Sequence, residues 1–335
     1  MPPNRTFLAC LALCVACGCL VQIPNGVFEC DTADECPGGF SCWSDRRCYD
    51  SDEPPAPPAP PEPTDFDGEC GQVVTRNGVT VTLQNDLACD EPVAIKVEAS
   101  DVVVDLNGYT ISSNGEGAQG ILVQGSDVVV VGVPSPGSTA DIEGRAHSAI
   151  EGFGTGVLFR KTIEGSISDV WVSDCEAGFS LTGGTRNITL SDIGATAPTF
   201  AGVVVRNDSE QNQVLRFEQD GGYVGVNVEK SDDTLVEQCQ ITGVEQHGIM
   251  VGLLPTDGID LPSRTIVRDN VVMSAGVHGI VARANADITV SNNRVFDAGQ
   301  WGIKAEGAVF DEAPLANEVE GSGELDQCLP LTLCE

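Results

Sequence analysis

Three ring side chains occupy one position of a repeated phrase. His247 and His278 each stand one residue before a Gly that opens a β-rich run, Gly248-Ile249-Met250-Val251 and Gly279-Ile280-Val281-Ala282. Trp301 holds the same place before Gly302-Ile303-Lys304-Ala305. Imidazoles donate and accept protons near neutral pH, and an indole offers a flat apolar surface with one polar edge. Between the two His lies an excursion over residues 252–264 that carries Asp257 and Asp260. If the chain is a catalyst, His247 and His278 with the carboxylates of Asp257 and Asp260 are the candidate proton donors and acceptors. If it is a binder, His247, His278, Trp301 and Lys304 are the candidate ligand contacts. The competing reading is that this position packs a turn, where any mid-sized ring serves. Both readings require the three rings to stack on neighbouring layers.

Such stacking follows from a repeat. Gly225, Gly248, Gly279 and Gly302 are spaced by 23, 31 and 23 residues, and the same phrase runs back through Gly202, Gly178 and Gly156 at steps of 23, 24 and 22. A fixed period of this length marks a solenoid. Each period holds further short β runs, among them Ile167-Ser168-Asp169-Val170, Ile188-Thr189-Leu190 and Val214-Leu215-Arg216-Phe217, with no helical periodicity between them. Each period is therefore expected to be one coil of a parallel β-helix, the 31-residue step being a coil with an inserted loop. The residue after each Gly (Val157, Phe179, Val203, Val226, Ile249, Ile280, Ile303) is expected to face inward as one aliphatic column. Nine residues before the Gly, Cys239, Asn270 and Asn293 fall into one register, which predicts a short ladder of stacked amides at a corner.

Composition sets the outer bounds. Fifty acids against 17 bases give a formal charge of −33, which argues against nucleic acids and anionic membrane surfaces as partners, since both require basic patches. Aromatics make up 5% and there are 38 Gly, usage suited to thin repeated β layers. Residues 1–19 have the basic start, short apolar core and small residues of an export signal. Cys17 after Val15-Ala16, and Cys19 after Gly18, are the two candidate lipidation sites of a lipoprotein-type leader, with plain secretion as the alternative. In residues 20–50, Cys30, Cys36, Cys42 and Cys48 recur every six residues, predicting a knot of two disulfides in an exported chain. A zinc site is the alternative there. Residues 51–65 form a Pro-rich extended linker. The large domain spans 66–325, with Cys70 and Cys89 expected to staple its first coil and Cys175 and Cys239 to remain as buried free thiols. Residues 326–335 lose the period and are expected to cap the open end, closed by Cys328 and Cys334.

The phrase Asp101-Val102-Val103-Val104-Asp105-Leu106-Asn107-Gly108-Tyr109-Thr110-Ile111, followed by Gly120-Ile121-Leu122-Val123 and the later Gly-Ile ladder, resembles the bacterial proteins of the pectate-lyase-like superfamily. That resemblance covers about residues 70–325 and implies an all-β, right-handed parallel β-helix. The segment from Cys30 to Cys42 resembles the small EGF-like knots near the N-termini of bacterial surface lipoproteins. The superfamily includes lyases, hydrolases, epimerases, copper-delivery accessories and adhesins, so the resemblance implies a fold and not an activity. Gln246-His247-Gly248-Ile249 resembles a stretch of polygalacturonase-type hydrolases, and Gly302-Ile303-Lys304 resembles their Arg-Ile-Lys, yet the trio of Asp those enzymes use has no counterpart in Val224-Gly225-Val226-Asn227. Asp169-Val170-Trp171-Val172-Ser173-Asp174 resembles a pectate-lyase phrase without its His. Two functions are therefore carried forward. The first is an exported, surface-displayed module that binds carbohydrate or plays a structural, adhesive role. The second is a polysaccharide-active lyase or glycoside hydrolase working in a groove on the β-helix. Either implies a polysaccharide or cell-surface glycan as partner, a monomer, membrane contact only through an N-terminal lipid, and a place on the outer-membrane surface or in the medium. No cofactor and no metal cluster is expected, Ca²⁺ being the one ion that the acidic turns would admit.

Overall fold

A computed structural model describes residues 40–42, 48–50, 69–113, 118–132, 148–252, 264–283, 287–306, 309–310, 316–323 and 328–329. The chain divides into two compact units, Met1–Pro61 and Glu62–Glu335. Of the first, an antiparallel hairpin is described, Phe40–Cys42 against Cys48–Asp50, with Cys42 and Cys48 as backbone partners. Cys17, Cys19, Cys30, Cys36 and the Pro-rich stretch lie outside the described residues.

The second unit is a parallel β-solenoid with three strands to a coil. In one coil these are Ala177–Thr182 in a first sheet, Arg186–Ser191 in a second and Gly194–Thr196 in a third. Among the described residues the third sheet contains 10 strands. The first and second join into one of 21 strands, because Ala201–Glu210 and Val224–Asp232 run unbroken around the corner between them. Each strand pairs in parallel with its counterparts one coil away. Side chains at one position thus recur about every 4.8 Å along the axis. Val157, Phe179, Val203, Val226, Ile249, Ile280 and Ile303 are in register and buried in the core. The 31-residue step leaves this register intact, since His247 pairs with His278 and Ile249 with Ile280.

The repeat Gly has a steric cause. It stands where the third sheet turns into the first, and a β-carbon there would point into the core. At Gly178 that carbon would lie 2.7 Å from Val172 Cγ2 and 2.6 Å from the Gly202 carbonyl oxygen. At Gly225 it would lie 2.7 Å from Ile241 Cδ1. The Gly and the residue after it thus both face inward at this corner, and the residue before the Gly faces outward. Ala177, Ala201 and Val224, which precede Gly178, Gly202 and Gly225, indeed pack with Val204 in an apolar cluster separate from the main core.

The corner from second to third sheet uses two residues. The first takes positive φ, as at Asp192, Arg216, Gln238, Asp269 and Asn292. The second points inward: Ile193, Phe217, Cys239, Asn270, Asn293. The amide ladder stands on this inward column. Asn270 Nδ2 donates to Asn293 Oδ1 at 2.9 Å, and Asn293 Nδ2 donates to Asn317 Oδ1 at 3.1 Å. Backbone amides of Cys239, Asn270 and Asn293 donate to the Asn oxygen of the following coil. Asn317 thus extends the ladder by one coil beyond what the Gly phrase marks. A disulfide joins Cys70 to Cys89, and Cys328 is also disulfide-bonded, with its partner outside the described residues. Cys175 and Cys239 are free and buried.

Two outcomes follow. Replacing Asn293 with Ala strands the Asn270 amide and the Val267 carbonyl that it satisfies. At 1–3 kcal/mol for each buried unsatisfied group, Asn293→Ala should cost roughly 3 kcal/mol in urea unfolding. Burial raises the Cys175 thiol to about 11 and the Cys239 thiol to about 12. Both stay protonated in the fold at a pH where the unfolded chain ionises them. Their contribution is whole below pH 9 and lost as pH rises toward 11–12. Alkylation at pH 8 followed by peptide mapping should find both thiols unmodified in the native chain and modified in urea.

Candidate functional site

The first sheet brings the three rings together. His247 pairs with His278 and His278 with Trp301 in successive strands, and the two imidazoles stack at 5.1 Å between centroids and 17° between planes. They point outward, in register with Val224 of the outer apolar cluster, yet His247 is only 5% and His278 only 3% exposed. Arg283 Nη2 lies 3.3 Å from His247 Nε2, and Arg283 Nη1 lies 3.2 Å from the Met250 sulfur. A guanidinium only donates, so His247 Nε2 is the acceptor and the ring proton sits on Nδ1. The backbone N–H of Trp301 donates to His278 Nδ1 at 3.4 Å, which puts that ring's proton on Nε2. The lone pair that a general base would use is therefore engaged in both rings. Trp301 and Lys304 are half-buried beside them, Lys304 continuing the column of Met250 and Val281. Asp257 and Asp260 lie outside the described residues.

A second place with chemical character lies on the outer face of the third sheet. Trp171 is half-buried there, its strand Val170–Ser173 pairing with Gly194–Thr196 of the next coil. The indole lies on Gly194: a β-carbon at that position would fall within the ring. Trp171 Nε1 donates to Thr196 Oγ1 at 2.8 Å, which fixes the ring in its plane. Beyond the indole runs a cleft of about 270 Å³. One wall is the positive-φ corner column, with Asp169, Asp192, Arg216 and Gln238. The other is the outward column of the sheet, with Glu218 and Gln240. Arg216 holds Asp192 by two bonds, Nε to Oδ1 at 2.7 Å and Nη2 to Oδ2 at 2.6 Å. The sequence phrase Asp169-Val170-Trp171 pointed to this strand only as a lyase-like motif. The partners that make it a cleft come from three further coils.

Residues 166–311 match the family described as right handed beta helix region. The coils are right-handed, as parallel crossovers almost always are. No curated protein matches the chain. Among solved structures, an alginate lyase from Paenibacillus sp. str. FPU-7 is similar at 15% identity and a TM-score of 0.49, over 76% of this chain and 90% of that one. The enzymatically active domain of bacteriophage CBA120 tailspike protein 2 is similar at 12% identity and a TM-score of 0.42, over 75% of this chain and 43% of that one. PfbA, a surface adhesin of Streptococcus pneumoniae, is similar at 11% identity and a TM-score of 0.39, over 73% and 83%.

On this right-handed β-helix the rings at 247 and 278 carry weight in packing. His278→Ala, which empties a buried outward position, should lower stability by roughly 2 kcal/mol, toward the low end for truncating a large buried side chain. Trp301→Ala, at a half-buried position, should cost less. Urea melts of the two variants check this, and an unchanged midpoint for His278→Ala would remove the packing role.

Proposed function

We propose that this chain is an exported, surface-displayed glycan-binding module. In this reading the β-helix is the presenting scaffold, the lipoprotein-type leader is its anchor, and the Cys-rich knot with the Pro-rich linker is its stalk. The observation that supports it most is the outer face of the third sheet. Ser173, Thr196, Asp220 and Thr242 form one outward column there, while Trp171, Glu218 and Gln240 belong to the adjacent one. Short hydroxyls, amides and carboxylates repeat about every 4.8 Å along the axis, so an extended polymer lying along that axis meets similar hydrogen-bonding groups from coil to coil. An aromatic face with a few fixed polar groups is what a sugar ring needs. The ring column of His247, His278 and Trp301, with Lys304 in the column of Met250 and Val281, stands on a different sheet and supports the fold there, Trp301 and Lys304 being half-buried. The enzyme reading remains the alternative outcome of one experiment.

That experiment incubates the purified protein with a panel of soluble polysaccharides, with and without Ca²⁺, and reads both retention in affinity electrophoresis and polymer chain length. The expected result is retardation by at least one polymer without shortening, unchanged by Ca²⁺. Shortening of any polymer would replace binding with catalysis, and the end groups formed would separate lyase from hydrolase. Neither retention nor shortening would remove glycans as partners.

A further inference from the structure

Resting on the glycan reading, we propose that the cleft beside Trp171 is the recognition site and that it takes an amino sugar, a pyranose ring bearing a protonated amine, and not a uronic acid. The indole is seated and not merely present. Gly194 leaves the space it occupies, and the bond from Nε1 to Thr196 holds its orientation. Its position is therefore settled before any ligand arrives, which limits the entropy lost on binding. Gln238 and Gln240 each supply a donor and an acceptor along the cleft, the pairing that vicinal hydroxyls require.

Charge selects among sugars. Asp169, Asp192 and Glu218 are three carboxylates against the single guanidinium of Arg216, and that guanidinium is engaged by Asp192 on the neighbouring coil. The surplus at the cleft is negative, on a chain whose formal charge is −33. A uronate polymer would bring one carboxylate per ring into that field and be repelled. A neutral ring would fit and leave the field unused. An ammonium group uses it twice, through the carboxylates and through attraction to the indole face. At about 270 Å³ the cleft is smaller than the ~300–1,000 Å³ usual for ligand sites, so it reads one ring of a chain and not an extended segment.

The test is calorimetric titration of the full-length protein at pH 6 and physiological salt with four probes: a trimer of β-1,4-linked glucosamine, its N-acetylated counterpart, a trigalacturonate, and tetralysine as a charge-only control. The glucosamine trimer should bind saturably. The acetylated trimer should bind about tenfold more weakly, the scale of one lost charge-assisted contact, and the trigalacturonate not at all. Trp171→Ala should weaken the glucosamine trimer about tenfold. Gly194→Ala, which keeps the indole but fills its seat, should weaken it too, as should Glu218→Gln, with thermal melts confirming that each variant folds. Equal binding of the acetylated trimer overturns the amine requirement. Binding indifferent to Trp171→Ala, or matched by tetralysine, overturns the cleft assignment. If other glycans bind the wild type and Trp171→Ala alike, the glycan reading stands without this site. If no glycan binds, both fall together.

Discussion

From Gly120 to Gly279 the corner at which the third sheet returns to the first has no room for a β-carbon, Ala94 holding the place one coil earlier, and these coils are arranged around that fact. Were the Gly at 178 or 225 replaced, the new carbon would meet an inward side chain of the third sheet at 2.7 Å, well inside van der Waals contact. Moving the strand outward to relieve this would break its pairing with the coils on both sides. Over these coils one Gly per coil fixes where the first sheet begins, and hence which residues stack. The inward column from Val157 to Ile303 and the outward column ending in His247, His278 and Trp301 are two sides of this single constraint. A slip of one residue would push the imidazoles into the Gly position, where there is no room, and turn the Val and Ile side chains of the inward column to the outer face.

The corner between the second and third sheets solves a different problem. It turns the chain in two residues, one at positive φ and one aimed inward, and the inward column changes character along the axis. Ile193, Phe217 and Cys239 give way to Asn270, Asn293 and Asn317. Apolar side chains leave the corner amides to pair with the next coil's backbone alone. The Asn side chains take up those amides directly, coil after coil, so that no member of the ladder is left half satisfied. A buried polar network of this sort holds only when complete, which ties the last coils into one cooperative block.

How much of this was legible in the sequence depended on whether a Gly marked it. The first sheet announced itself through the Gly phrase, and with it the stacking of His247, His278 and Trp301. The amide ladder was legible at Asn270 and Asn293, each nine residues before a Gly. Asn317 was not, because Asp326 stands where its Gly would be. The third sheet was mostly hidden. Many of its strands are three residues long, and they follow a corner whose only local signature is a backbone angle that Asp, Arg and Gln all adopt. The Trp171 cleft was hidden for a related reason. Trp171 and Gly194 become a ring and its seat only once the coil period is laid exactly parallel in space, and nothing near Trp171 in the chain says that the residue 23 places later lacks a side chain. The near-complete burial of His247 and His278 was likewise unreadable, since alternation predicts direction and not cover.

Parallel stacking also governs the charge. In-register neighbours lie about 4.8 Å apart, so a column of identical acids would repel along its length. With 50 acids and 17 bases, the chain cannot pair them all, and three of its Arg residues bridge to acids of a neighbouring coil. Arg216 bridges to Asp192, Arg264 to Asp233 and Arg268 to Glu237, each to a residue one coil away. Exposed pairs of this kind add little stability; their effect is to shape the field. Where two acids of neighbouring coils meet, the repulsion is visible even with Arg186 nearby. The Glu164 carboxyl is held above its ordinary value by its hydrogen bond to Asp127 and by that neighbour's charge. The outer face of the third sheet near Trp171 is intermediate: one guanidinium, already engaged, beside carboxylates from three coils. A surface organised by repetition thus acquires a local, directional preference from the few positions at which the repetition is broken, a Gly under an indole and an Arg among acids.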